Sequence, residues 1–253
     1  MNELLLEILK SNSVTDEKGH TIPLHSAISV EEANFISDTI RNNGLKKAVE
    51  VGCAMGISSL AIADTLQKTA GSQHYIIDPN QKSQWNNQGI YHLRKAGFNN
   101  FNLVEDYSEF ALPALVKQGL KFDFAFIDGW HTFDHTLLDF FYVNRMLEIG
   151  GVVIIDDVHM PAVSSVIRYV YNYPAYQYLG CIRNAELTTK RKIYEKAIQL
   201  LSLPKYLMGR KIAGEFFNSK ALKPDRSVHL DCTMIALKKV AEDQRPWNWH
   251  ENF

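Results

Sequence analysis

Apolar runs separated by helix-forming stretches recur along this chain at 47–51, 74–78, 101–104, 122–128 and 151–156. Strands alternating with helices at this spacing predict βαβ units, because parallel strands need a long crossover and a helix supplies it. The runs Phe122–Ile127 and Gly151–Ile155 are nearly continuous in apolar residues, as central strands covered on both faces require. Leu230–Leu237 reads as a last strand at the far side of the sheet. The expected fold is therefore α/β, with a doubly wound, mostly parallel sheet. At 253 residues and 46% hydrophobic content there is material for one large core, so 1–253 is read as a single domain.

Local signals fix the flanks. Residues 2–12 read as a short amphipathic helix and 13–27 as an irregular connection, together an N-terminal extension. Ser29-Val30-Glu31-Glu32 fits a capping box, in which Ser29 accepts from the backbone N–H three residues on while Glu32 reaches back. That helix is expected to run to Asn43 and stop at Gly44. A formal net charge of −1 gives no global attraction for nucleic acid or an acidic membrane. Cys53, Cys181 and Cys232 are odd in number and scattered, with neither metal-ligand spacing nor a disulfide framework. The first ten residues carry Glu3 and Glu7 and no basic leader, and no apolar run reaches the ~18 residues of a membrane span. A cytoplasmic, reducing location is expected.

Residues 49–58, Val-Glu-Val-Gly-Cys-Ala-Met-Gly-Ile-Ser, combine a strand ending in a carboxylate, a small-residue turn and a helix start. A helix N-terminus offers N–H groups to a ligand, and glycines let it approach the backbone. Dinucleotide sites use Gly-x-Gly-x-x-Gly without an acid so close, since a carboxylate repels a pyrophosphate and pairs with an ammonium. A solvated strand-end acid beside a plain turn is the bland alternative. Glu50-x-Gly52-x-Ala54-x-Gly56 resembles the first motif of the class I S-adenosylmethionine-dependent methyltransferases. The resemblance implies a seven-stranded Rossmann-like sheet, with Glu50, Gly52, Ala54, Gly56 and Ser58 around the methionyl end of the cofactor. It also implies that Asp78, at the end of the second strand, accepts from the ribose hydroxyls. Tyr107 and Ser108 would hold the adenine, although Asp106-Tyr107-Ser108 departs from the usual Gly-Asp-Ser.

Asp128 ends the fourth apolar run, and Asp156 and Asp157 end the fifth. One βαβ spacing separates them, so they are expected at adjacent strand ends, on the edge where open α/β sheets bind ligands. Crowded carboxylates raise each other's pKa values, and a hard divalent cation such as Mg²⁺ relieves that. Each acid could instead cap the helix that follows it. His131, three residues after Asp128, has the chemistry of a general base for a hydroxyl. His135 one turn on reads as surface, and His159 as a neighbour of Asp157. The pattern Phe-Ile-Asp-Gly-x-His, Asp139, Leu147-x-x-Gly150-Gly151, Asp156-Asp157 resembles the metal-dependent O-methyltransferases, among them sugar methyltransferases of macrolide and aminocoumarin pathways. Carried over residue by residue, this implies that Asp128, Asp156 and Asp157 hold the metal, that Asp128 also borders the cofactor, and that His131 is the base. The catechol-type branch has Asp-Asn where this chain has Asp156-Asp157.

Residues 189–211 hold seven basic side chains and one acid, within an insertion placed at about 180–225. It could be a lid attracting an anionic acceptor, an oligomer contact, a membrane-surface helix or a solvated amphipathic helix. The expected partner is a small hydroxylated acceptor, sugar-like or a vicinal diol, anionic or glycosylated in some readings; a homo-oligomer is compatible. The competing functions are a metal-independent methyltransferase and a catalytically silent binding module.

Overall fold

The structure, a computed structural model, describes residues 1–183 and 229–251 together with positions 189, 193 and 196. Apart from those three positions, the basic stretch 189–211 lies outside the described residues, as does nearly all of the insertion expected at about 180–225. The elements run α1 (Glu3–Ser11), β1 (Ser13–Thr15), β2 (Thr21–Pro23), α2 (Val30–Asn43), β3 (Lys47–Val51), α3 (Ile57–Leu66), β4 (Gln73–Ile77) and α4 (Gln88–Lys95). They continue with β5 (Asn102–Val104), α5 (Ser108–Lys117), β6 (Phe122–Ile127), α6 (Phe133–Met146), β7 (Leu147–Ile155), α7 (Pro161–Val170), β8 (Tyr176–Ile182) and β9 (Met234–Lys239).

Seven strands form one sheet in the order β5-β4-β3-β6-β7-β9-β8. Only β9 runs against its neighbours, slotted antiparallel between β7 and β8. Side-chain alternation divides the core into two layers. Val49, Val51, Ala125, Ile127, Val153 and Ile155 pack beneath Leu112, Phe140 and Val166 of α5, α6 and α7. Ala48, Phe124, Phe126, Val152 and Ile154 face Leu5, Ile36, Leu60 and Leu93 of α1 to α4. Leu5, Ile8 and Val14 sit in that second layer, so the N-terminal residues contribute to the core.

The local signals behave as their chemistry requires. Ser29 Oγ accepts from Glu32 N while Glu32 Oε2 accepts from Ser29 N, and Gly44 closes α2 in the left-handed conformation at φ 65°. Two expectations need correction. The connection 13–27 is not irregular throughout: Ser13–Thr15 and Thr21–Pro23 pair as an antiparallel hairpin. The last strand starts later than read and lies inside the sheet, because the edge belongs to β8. Tyr-Gln-Tyr-Leu-Gly-Cys-Ile in β8 has a weak apolar alternation, and its pairing with β9 across a long sequence gap is what makes it a strand. No described helix is long and apolar enough to cross a membrane.

Parallel register decides what the sheet presents. Val51 pairs with Ile127, and Ile127 with Ile155. The residues that follow, Gly52, Asp128 and Asp156, therefore leave three adjacent strands side by side.

Candidate active site

Gly52 leaves β3 at φ +89°, its N–H donating to Ile77 O at 2.9 Å. A Cβ there would lie 2.0 Å from the carbonyl oxygen of Asp128, so the turn needs glycine for close backbone approach as well as for its dihedral. Ala54 and Gly56 also have positive φ, 47° and 83°, which bends the chain into α3. Asp78 pins this turn: its Oδ2 accepts from the N–H groups of Cys53 (3.1 Å) and Ala54 (2.8 Å) and from Gln81 Nε2 (2.9 Å). Its Oδ1 accepts from Asn80 N and keeps capacity for a further donor.

Glu50 is fully buried and turned away from the ligand side. It shares the Ala48 face of β3, under the N-terminus of α3. Ser58 Oγ donates to its Oε1 at 2.6 Å, Ser59 Oγ donates to its Oε2 at 2.8 Å, and His74 Nε2 lies 2.8 Å from Oε2. A carboxylate below the positive end of a helix, with two hydroxyls and an imidazole around it, holds strand and helix together. Glu50 and Ser58 thus find each other instead of lining the cavity above.

That cavity has a volume of about 460 Å³ and opens over the C-terminal ends of β3, β4 and β6. Gly52, Ala54, Asp78, Tyr107, Ser108, Asp128 and His131 border it; Glu50, Gly56 and Ser58 do not. Ser26, Asn80, Trp85, Trp130 and His135 also line it and were not singled out as ligand residues in the sequence. Trp85 and Ser26 come from loops with no periodic signal, and only the fold brings them over the turn.

At the floor's far end, His131 Nε2 lies 3.1 Å from Asp128 Oδ1 and 3.0 Å from Asp157 Oδ2. The ligand atoms of these three residues fall within 4.8 Å of one another, the one such grouping among the described residues. Asp156, expected with Asp128 and Asp157, is not part of it. Its Oδ1 accepts from Asp157 N at 2.8 Å, and the chain turns at Asp157 through φ 53°, so these consecutive carboxylates have different surroundings. Burial first, then the charge of Asp128, pushes the Asp156 carboxyl well above the usual range. The N-cap positions of α6 and α7 are Thr132 and Met160, so none of the three acids occupies a cap. His159 Nδ1 approaches Asp157 Oδ1 at 3.7 Å, and His135 Nδ1 lies 2.8 Å from Thr132 Oγ1 beside the cavity.

Burial raises the Asp128 carboxyl to about 6, opposed by the hydrogen bond from His131. The same hydrogen bond raises the His131 imidazole above its ordinary value, against the effect of burial. Two carboxylates thus hold one imidazole as their counter-charge. The two carboxylate oxygens beside this imidazole suit a hard divalent cation.

Residues 49–158 match the model of a methyltransferase domain. The sheet resembles that of an O-methyltransferase from Bacillus cereus solved with S-adenosylhomocysteine, at a TM-score of 0.59 and 18% identity, over 74% of this chain and 87% of that one. It also resembles TomG of Streptomyces achromogenes, an O-methyltransferase of tomaymycin synthesis solved with S-adenosylmethionine, at a TM-score of 0.57 and 18% identity, over 72% and 84%. A curated caffeoyl-CoA O-methyltransferase-like protein of Arabidopsis thaliana is 26% identical over 161 residues, 62% of this chain. The match spans 63% of that relative's length.

One buried acid stands just outside the cavity. Asp139 of α6 is fully buried, its Oδ2 close beneath Gly129, and among the described residues neither oxygen makes a hydrogen bond of good geometry. Burial raises it from 3.8 to about 6, offset only in part by the Ser108 hydroxyl. A carboxyl with a raised folded-state pKa stabilises the fold fully below its unfolded value, and that contribution is lost as pH rises through about 6. Asp139→Asn is therefore expected to be more stable than the wild type at pH 8, by up to about 3 kcal/mol, and nearly equal to it at pH 4. Urea unfolding at the two pH values checks this; an equal difference at both would remove the ionisation as its cause.

Proposed function

We propose that this protein is a cytoplasmic S-adenosylmethionine-dependent O-methyltransferase that uses a divalent cation, Mg²⁺ by the hardness of its donors, to methylate a hydroxyl of a sugar-like or vicinal-diol small molecule. The observation that carries the reading is the Asp128–His131–Asp157 cluster at the end of a cavity floored by the glycine turn. The acid-bearing glycine turn, the methyltransferase-domain match and the O-methyltransferase neighbours support the rest. The cradle suits the cofactor. Gly52 and Ala54 border the cavity, Asp78 Oδ1 can accept from a hydroxyl, and Tyr107 and Trp85 add aromatic surface to its lining.

When bound, the cofactor supplies a sulfonium methyl, and the cation supplies charge that lowers the pKa of an acceptor hydroxyl. Asp128 and Asp157 would hold the cation through their carboxylate oxygens. His131 Nε2, 3.1 and 3.0 Å from those carboxylates, is placed to take the hydroxyl proton, and the carboxylates stabilise the imidazolium that results. The acceptor oxygen must then lie in line with the methyl–sulfur bond. Positioning by the turn, Asp128 and the aromatic walls supplies most of the rate. A vicinal diol offers two oxygens to one cation, which favours it over an isolated hydroxyl.

The test is methyl transfer to a panel of hydroxylated acceptors, followed by mass spectrometry. EDTA is expected to remove at least roughly 99% of turnover and Mg²⁺ to restore it, while cofactor binding persists. Turnover unchanged by chelation would favour a metal-independent enzyme on the same fold. Cofactor binding without transfer to any acceptor, with and without Mg²⁺, would favour a silent binding module.

A further inference from the structure

Glu50 lies beneath the glycine turn with two hydroxyls and an imidazole around it, and the imidazole bonds nothing else. His74 pairs with Ala48 across β3 and β4, so its side chain shares a face with Ile76, in the layer packed against α1 to α4. It is 2% exposed. Its Nε2 lies 2.8 Å from Glu50 Oε2, and its Nδ1 is buried without a hydrogen bond among the described residues. An orphaned ring nitrogen in an apolar layer costs stability, and a leucine at this position would avoid that cost. What the ring provides in return is one donor, aimed at one carboxylate.

Glu50 carries that contact to the turn. Its Oε1 accepts from Ser58 Oγ at 2.6 Å and its Oε2 from Ser59 Oγ at 2.8 Å. Ser58 and Ser59 belong to the first turn of α3. Gly56, the N-cap of that helix, has no side chain to bond its free N–H groups, so contacts from the sheet fix where the first turn sits. Ser59 Oγ is also 3.3 Å from the Sγ of Cys53, in the turn itself. Strand β4 holds the turn a second time, since Asp78 follows it and accepts from Cys53 N and Ala54 N. Glu50 is fully buried, so water does not replace a donor that is lost.

We propose that His74 is a positioning residue for the glycine turn: it fixes the Glu50 carboxylate and, through Ser58 and Ser59, sets the turn in the geometry that receives the cofactor. His74 does not border the cavity, so it acts through Glu50 and not by contact with a ligand. That the cofactor is S-adenosylmethionine rests on the functional reading above; the hold on the turn does not. An imidazole Nε2–H is the donor that suits a carboxylate oxygen here. A glutamine, whose amide N–H reaches to the same point, should serve in its place, and a leucine of similar bulk should not. Without the donor the carboxylate keeps only the two hydroxyls, Ser58 and Ser59 move with it, and the backbone amides of residues 53–59 lose protection.

The experiment compares the full-length wild type with His74→Leu, His74→Gln and Ile76→Ala, by calorimetric titration with S-adenosylmethionine and by amide hydrogen exchange without it. His74→Leu is expected to weaken cofactor binding by about tenfold or more and to speed exchange at 53–59, while β6 and β7 stay protected. His74→Gln should bring binding back to within about threefold of the wild type and restore the slow exchange. Ile76→Ala, on the same strand and face, should lower the melting temperature yet leave binding within about twofold. The proposal is overturned if His74→Leu binds and exchanges like the wild type, if glutamine does not restore what leucine loses, or if Ile76→Ala loosens the turn as much. Should His74→Leu not fold, Ser59→Ala removes a contact of the same carboxylate from the helix side and is expected to loosen the same amides; unchanged exchange in it overturns the proposal too. A wild type that binds no S-adenosylmethionine ends the functional reading, and exchange at 53–59 still decides the role of His74.

Discussion

Replacing His131 by alanine is expected to lower kcat for methyl transfer by roughly 10²–10⁴-fold while cofactor affinity stays within about twofold. The imidazole has no described contact with the glycine turn; its partners are Asp128 and Asp157. Its removal therefore takes away a proton acceptor without disturbing Gly52, Ala54 or Asp78. His131→Gln keeps a polar group of similar reach but cannot carry the proton, so it should fall to nearly the same rate. Single-turnover kinetics and calorimetric titration of cofactor separate the two effects. Turnover retained in both variants would end the assignment of His131 as the base. A parallel loss of rate and cofactor binding would make it a structural support of the site.

Gly52→Ala should abolish cofactor binding and weaken the fold together. The new Cβ would meet Asp128 O at 2.0 Å and Asp128 C at 2.8 Å, both backbone atoms that cannot rotate aside. The ends of β3 and β6 must part by more than about 1 Å, and φ +89° is strained for alanine even with space. A displacement of that size at the site costs about 10²-fold or more, and the strain and repacking about 3 kcal/mol. Gly44→Ala is the control. It also has positive φ, but its Cβ meets nothing within 4 Å, so only about 1 kcal/mol should be lost and binding should be unchanged. Thermal unfolding and cofactor titration of both variants make the comparison. Normal affinity in Gly52→Ala would show that the turn is not held against Asp128 as described.

The legible parts of the site are those a short stretch of chain decides. Val49-Glu50-Val51-Gly52 states a strand and a turn within four residues, and Ser29 and Glu32 make their two hydrogen bonds within one turn of helix. Asp128 and Asp156 at neighbouring strand ends followed from the length of one βαβ unit and parallel pairing. Glu50 was harder. Its place at the strand end is local, but which face carries the ligand depends on the layers, and the Ala48 face is filled by α1 to α4. The acid therefore meets Ser58, Ser59 and His74 under the turn. Trp85 and Ser26 in the cavity wall, and β8 at the sheet edge, had no periodic pattern to announce them.

By itself the sequence determined the strand–turn–helix order, the parallel core and the strand-end acids, because alternation, glycine dihedrals and capping act over a few residues. Tertiary structure alone decided that His131 joins Asp128 and Asp157 while Asp156 stays apart, and that Glu50 meets His74. Those groupings are distances between segments far apart in the chain. Such distances are set by strand register and by one left-handed residue at Asp157, and no local pattern encodes them.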